Sequence, residues 1–215
     1  MVPRVGVLRW ARSNVDLLAT FLLAVAAVAT AWSSYQAARW SGVQTIDFSR
    51  ANAARIESTR ASDEAGRQMQ IDVLTFTQWA NAYGRGDDRL ERFYFDRFRD
   101  EFRPAMRAWI ATRPLRDPDA PPSPFAMPEY RLAENVEAER LLRDAERLGV
   151  SARESNQRSD IYVLAVVLFA AALFFAGIST KLPAERGRLL VLGLGYVVFL
   201  GTLAWAVTFP VTVSV

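Results

Sequence analysis

The chain has 215 residues, a formal net charge of +3 and a hydrophobic share of 51%. That length suits about one soluble domain, but the apolar residues gather in long runs near both ends with nearly all the charge between them, which excludes a uniformly globular chain. It contains neither cysteine nor histidine, which excludes disulfides, thiolate nucleophiles, zinc–thiolate centres and the commonest near-neutral proton shuttle.

Residues 1–14 form a basic tail with Arg4, Arg9 and Arg12. The first apolar run, 17–32, continues through Ser33, Ser34, Tyr35 and Gln36, and 15–39 is read as the first transmembrane helix, since crossing the hydrocarbon core takes about 20 residues. Trp32, Tyr35 and Trp40 suit its interfacial end, and Tyr162 plays the same part at the start of the second span. A cleavable signal peptide ending near Ala29-Thr30-Ala31 is the rival reading. An uncleaved anchor is favoured, because two later spans commit the chain to the membrane in any case.

Those later spans are 161–178 and 189–209, neither carrying an ionisable side chain other than tyrosine. The turn between them, 179–188, holds Lys181, Arg186 and Arg188. Three spans put this turn and the N-terminal tail on one side, and the positive-inside rule makes that side cytoplasmic. Residues 40–160 and the tail 210–215 are then extracytoplasmic.

Within 40–160, no proline and one glycine, Gly66, interrupt 43–83, which predicts a long helix continuing from the first span and bent at Gly66. Ala51, Ala54, Ser58, Ala61 and Ala65 recur at alternating three- and four-residue steps, a heptad seam of small residues. Met69, Val73, Phe76, Ala80 and Tyr83 continue it as a bulkier stripe. After Gly84-Arg85-Gly86, Asp87 or Asp88 caps a helix carrying Tyr94, Phe95, Phe98, Phe102, Met106 and Trp109 on one face, kinked or restarted at Pro104. Burial against the preceding helix is favoured over a helix lying in the headgroups. Six prolines in 114–128 predict an extended loop without regular structure. In that loop and just after it, Phe125, Met127 and Tyr130 either dock a partner or pin the loop to its own domain, the second being favoured. A final helix from 129 to 156 joins the second span and bears a second seam of Ala138, Leu141, Ala145, Leu148 and Ala152. The two seams are expected to pack as an antiparallel, coiled-coil-like stalk, capped by 69–130. Pairing with a second subunit is the competing arrangement. The fold class is thus an all-α membrane protein.

Several stretches resemble an uncharacterised family of bacterial membrane proteins: Ala31-Trp32-Ser33-Ser34-Tyr35-Gln36, Trp40-Ser41-Gly42, Arg97-Phe98-Arg99-Asp100-Glu101-Phe102-Arg103-Pro104-Ala105, Pro124-Phe125-Ala126-Met127-Pro128-Glu129-Tyr130 and Val167-Leu168-Phe169-Ala170. The resemblance implies a bacterial inner-membrane setting and the same three-span layout. It supplies no catalytic residue.

The reading favoured by the residues is a membrane-anchored scaffold or interaction protein, oligomeric through small-residue contacts such as Ala27/Ala31 and Ala172/Ala176. No cofactor or metal is expected. The partners expected are the lipid bilayer, further copies of the chain or other membrane proteins, and no nucleic acid, because basic and acidic residues nearly cancel between 39 and 160. A subunit of an oligomeric channel, lined by Thr30, Ser33, Ser34 and Gln36, is the alternative; intramembrane charge, the usual mark of an ion route, is absent. An enzyme comes third. Its carboxylate clusters, Asp96/Asp100/Glu101 and Glu134/Glu137/Glu139, are interleaved with arginines at helical spacing and read better as solvated pairs.

Overall fold

The computed structural model describes residues 14–114 and 116–212; Arg4, Arg9 and Arg12 lie outside them. Among the described residues there are five α-helices and no strand: α1 (Val15–Arg85), α2 (Asp88–Phe95), α3 (Arg103–Ala111), α4 (Ala133–Ser179) and α5 (Glu185–Ala206). Helices α1, α4 and α5 each contain a window long and apolar enough to cross a membrane. The chain divides into two compact units, residues 1–49 with 148–215 and residues 50–147. The boundary falls some ten residues inside the 40–160 segment that hydropathy alone marks off.

Helix α1 runs 71 residues without interruption at Gly66, because a helical glycine costs only about 1 kcal/mol and heptad packing flanks it. Residues buried at seven-residue steps mark one face. In the first unit these are Ala19, Ala26, Ser33 and Trp40; in the second, Ala51, Ser58, Ala65, Asp72 and Trp79. Of the expected stripe 69/73/76/80/83, Phe76 and Ala80 pack against the aromatic core. Met69, Val73 and Tyr83 are exposed, while Gln68, Asp72 and Trp79 take the inward positions.

In the first unit, α1, α4 and α5 pack through Ala19, Leu22, Ala26, Ala165, Phe169, Ala172, Ala176, Leu192 and Phe199. Small residues let helix backbones approach closely in an apolar solvent, where burial of hydrocarbon supplies no driving force. Ala172 and Ala176 serve this purpose, whereas Ala27 and Ala31 face outward. Gly195 sits at a close approach: a Cβ there would lie 3.2 Å from Leu22 Cδ2 and 3.3 Å from Phe175 Cβ. Gly195→Leu is expected to destabilise this unit by about 1–3 kcal/mol through overpacking, read as a lowered unfolding midpoint in detergent. Gly193→Leu, at a position with open space, serves as the control and leaves the midpoint unmoved.

Hydrogen bonds add specificity within the same unit. The Ser159 hydroxyl donates to the Ala37 carbonyl at 2.9 Å and the Ser151 hydroxyl to the Asp47 carboxylate at 2.7 Å. Rising numbers on α1 thus meet falling numbers on α4, so the two run antiparallel here. The fully buried Gln36 amide exchanges two bonds with the backbone of Thr212, at 3.1 and 2.9 Å. Thr30 bonds back to the Ala26 carbonyl at 2.7 Å.

In the second unit the amphipathic helix expected from residue 88, kinked or restarted at Pro104, is two helices, the second starting at Arg103. Asp87 caps α2, its side chain accepting from the Leu90 amide at 3.0 Å. Pro104 sits in the first turn of α3, where its missing N–H costs nothing and its fixed φ suits the helix start. The carbonyls freed by the break are taken up by the Arg103 guanidinium, which donates to Phe98 O at 3.0 Å and Asp96 O at 3.1 Å. The proline-dense stretch is not wholly irregular either, since Pro124–Ala126 forms one 3-10 turn. Helix α4 starts at Ala133 rather than 129, and α5 covers Glu185–Ala206 rather than 189–209.

Candidate functional site

The second unit is organised around an aromatic cluster and a buried carboxylate beside it. Trp79, Phe98, Phe102, Ala105, Met106 and Trp109 form the buried core, with Phe76, Tyr94, Phe95, Phe125, Met127 and Tyr130 packed against it. All six residues of the expected apolar face, from Tyr94 to Trp109, therefore reach the core although the helix carrying them is broken. Phe102 is the hub: its ring centroid lies 5.0 Å from that of Phe98, 5.3 Å from Phe125 and 5.7 Å from Tyr130. Edge-to-face and stacked pairs of this kind contribute about 0.5–1.5 kcal/mol beyond area burial.

The loop residues Phe125, Met127 and Tyr130 thus face their own domain. The Trp109 indole fastens the preceding loop by donating to the Pro121 carbonyl at 2.7 Å. The proline-rich segment is held by side chains at both ends rather than left as a free docking strand.

Asp72 is fully buried at a heptad position of α1. Its Oδ2 accepts from Arg99 Nη1 at 2.9 Å and from the Tyr130 hydroxyl at 3.1 Å. Arg99 also donates to Gln68 Oε1 at 2.8 Å and pairs with Glu101. The Gln68 amide in turn donates to Glu64 at 3.4 Å. Asp72 Oδ1, however, is buried without a hydrogen-bond partner among the described residues. Burial pushes the Asp72 carboxyl above the usual aspartate range, and this outweighs the opposing pull of Arg99. Burial and the adjacent Asp72 charge push the Tyr130 phenol up as well. An unpaired buried oxygen is costly. The arrangement orients three chain segments around one carboxylate and keeps its proton affinity high. A raised carboxyl pKa in a tight ion-pair network marks a functional position or a structural clamp.

Neither Asp72 nor Arg99 stands out in the amino-acid sequence by motif. Counting on in sevens from Ala51, Ser58 and Ala65 does reach Asp72 and then Trp79. Three carboxylates of the expected clusters form solvated pairs: Glu137 with Arg140 at 2.5 Å, Glu139 with Arg143 at 3.6 Å and Asp100 with Arg103 at 3.1 Å.

The remaining candidate positions are distributed as follows. Of the seam residues, Ala51, Ser58, Ala65, Ala138, Ala145 and Ala152 are buried, while Ala54, Ala61, Leu141 and Leu148 are half-buried. In the second unit, the Ser58 hydroxyl donates to the Ala138 carbonyl at 2.8 Å. Trp32 and Tyr35 are exposed with rings 5.8 Å apart. Trp40 and Tyr162 turn inward instead, forming a cluster with Ala37. Of the cations in the turn, Lys181 and Arg186 are exposed, but Arg188 pairs with Asp16 and donates to the Ser179 carbonyl at 3.2 Å.

Three apolar helices of this length, in a chain that is otherwise helical, suggest a membrane protein of all-α class. Compared with protein families, curated proteins and solved structures, the chain finds no match.

Proposed function

We propose that this protein is a membrane-anchored helical scaffold that presents the aromatic domain of residues 50–147 to copies of itself. In this reading its spans lie in a bacterial inner membrane, with the basic tail and the 179–188 turn in the cytoplasm, as the charge distribution and the family resemblance imply. The seams of α1 and α4 act as an antiparallel, coiled-coil-like stalk. The observation that carries the proposal is the seven-residue burial rhythm of α1, from Ala51 to Trp79. Small residues at the first positions and Trp79, a member of the aromatic cluster, at the last make a rigid mount rather than a reaction chamber.

Support for self-association comes from the outer side of the same helix. Ile71 and Leu74 are 51% and 66% exposed, one helical turn apart and outside the seam. Large aliphatic side chains left in water next to each other mark a contact surface. The test is native mass spectrometry of detergent-purified protein. An oligomer that Leu74→Glu converts to monomer is the expected result. A wild-type protein that is strictly monomeric at working concentrations would falsify the self-association. For orientation, single cysteines replacing Ser123 and the exposed Ala184 are labelled with a membrane-impermeant reagent in cells with a permeabilised outer membrane. Labelling at 123 alone is expected; labelling at 184 alone would reverse the topology.

A further inference from the structure

Between the three apolar helices of the first unit lies a groove of about 380 Å³, lined by α1 from Val25 to Ser33, by Tyr162 and Phe169 of α4, and by α5 and the residues just after it. That volume falls in the range of about 300–1,000 Å³ typical of small-molecule sites. Its rim is open, since Val28 and Val207 are 70% and 76% exposed. Along α1 the lining covers eight residue steps, about 12 Å at 1.5 Å per residue. One leaflet of the hydrocarbon core is about 15 Å deep. The groove therefore matches the path of one acyl chain through a single leaflet.

Its polar end is marked by cations that continue the same helix faces. Arg39 follows the lining residue Trp32 by seven positions on α1, and Arg158 precedes the lining residue Tyr162 by four on α4; each spacing keeps a side chain on one face. The Arg158 guanidinium lies 4.6 Å above the Trp40 ring, and its nearest carboxylate, on Glu154, is 3.9 Å away. Arg39 has no ion-pair partner among the described residues, and its Nε is buried without a hydrogen bond. The neighbouring Asp160 is engaged by the Asn156 amide at 3.1 Å. The exposed Trp32 and Tyr35 rings, at the level between groove and arginines, suit the headgroup boundary.

We propose that this groove binds one phospholipid, its acyl chain lying from Val25 to Trp32 and its phosphate held by Arg39 and Arg158. A guanidinium is the side chain best matched to a phosphate. The assignment is independent of the scaffold reading.

The test is native mass spectrometry of detergent-purified protein titrated with anionic and zwitterionic diacyl phospholipids. Wild-type protein is expected to retain one phospholipid per chain. Ala29→Phe, which fills the groove, lowers retention at least fivefold with helix content unchanged. The paired Arg39→Gln and Arg158→Gln substitutions lower it comparably. Equal retention by the filled variant, or none by the wild type, would overturn the groove assignment; full retention by the arginine pair would overturn the phosphate assignment. Wild-type protein also supplies a measurement free of any folding defect, photocrosslinking with a phospholipid carrying a diazirine in its chain. Adducts concentrated at 25–33 and 199–211 support the site, and adducts spread equally over outward residues such as Leu17, Val163 and Leu190 overturn it.

Discussion

Replacing Asp72 with alanine is expected to cost the 50–147 unit about 3 kcal/mol of stability, measured by denaturant unfolding of the full chain followed through the fluorescence of Trp79 and Trp109. Removing one member of a buried ion pair typically costs about 3–5 kcal/mol, because the partner is left charged and unsatisfied. The lower end applies here. Arg99 keeps some solvent access and retains Gln68 and Glu101 as acceptors, whereas the Tyr130 hydroxyl loses the partner it donates to. Asp72→Asn preserves shape and an acceptor oxygen, so it should cost less than alanine. Equal losses for the two variants would show that the second carboxylate oxygen and its charge carry the whole effect. A wild-type-like Asp72→Asn beside a destabilised Asp72→Ala would show that the carboxylate's bonds contribute nothing beyond its volume.

The same residue predicts a pH dependence, and its sign follows from the direction of the shift. The Asp72 carboxyl is raised above its unfolded value. Its contribution is therefore fully present below the ordinary aspartate pKa and is lost as pH rises through the raised folded value. Glu64 and Glu137 work in the opposite sense. Hydrogen bonds from Arg67 and Arg140 hold them below the usual glutamate range, so what they contribute is lost on acidification. The unfolding midpoint of the wild type minus that of Asp72→Asn isolates the aspartate. That difference should grow in favour of the wild type as pH falls through the raised value. A flat difference across the acid range would show that Asp72 does not titrate there.

The three long apolar helices were legible because long uncharged runs stand out and nothing else in the chain resembles them. The length of α1 was legible too, since a stretch without proline leaves a helix nothing to stop it. The interior of the second unit was harder to read. An aspartate inside a seam of alanines looks like a solvent-facing residue, and only its heptad phase says otherwise. Met69 and Val73 look like core because they are large and apolar, yet the phase set at Ala51 turns them outward. The restart at Pro104 was legible, but the stretch from 96 to 102 that leaves the helix before it was not. Phe98 and Phe102 bury themselves on the same cluster whether or not the backbone between them is helical, so the apolar period persists across it. Pro104, suited to a first turn, starts the next helix, with Arg103 folded back over the exposed carbonyls. The unpaired Asp72 oxygen and the groove between the spans depend on how segments far apart in the chain meet, and local pattern does not encode that.

The largest loss is expected from Phe102→Ala, about 3–5 kcal/mol, as for other buried aromatics reduced to alanine. Phe102 has no exposed surface and stands immediately before α3, where its carbonyl accepts from the Met106 amide at 3.1 Å. Three rings from two chain segments rest on it: Phe98 from the break, Phe125 and Tyr130 from the proline-rich segment and its end. Truncating it does more than leave a cavity. It withdraws the surface against which the loop is held, leaving the Trp109–Pro121 bond, the Phe76–Phe125 contact and the Tyr130–Asp72 bond among its remaining ties. Limited proteolysis should therefore cut Phe102→Ala between residues 113 and 131 under conditions that leave the wild type intact. Phe95→Ala provides the comparison, since Phe95 is only half-buried and touches the cluster through Phe98. It should lose less stability and stay resistant in the loop. Cleavage at equal rates in both variants would mean that the loop's hold comes from its own prolines. Phe102 would then be a packing residue and not the point to which the loop is anchored.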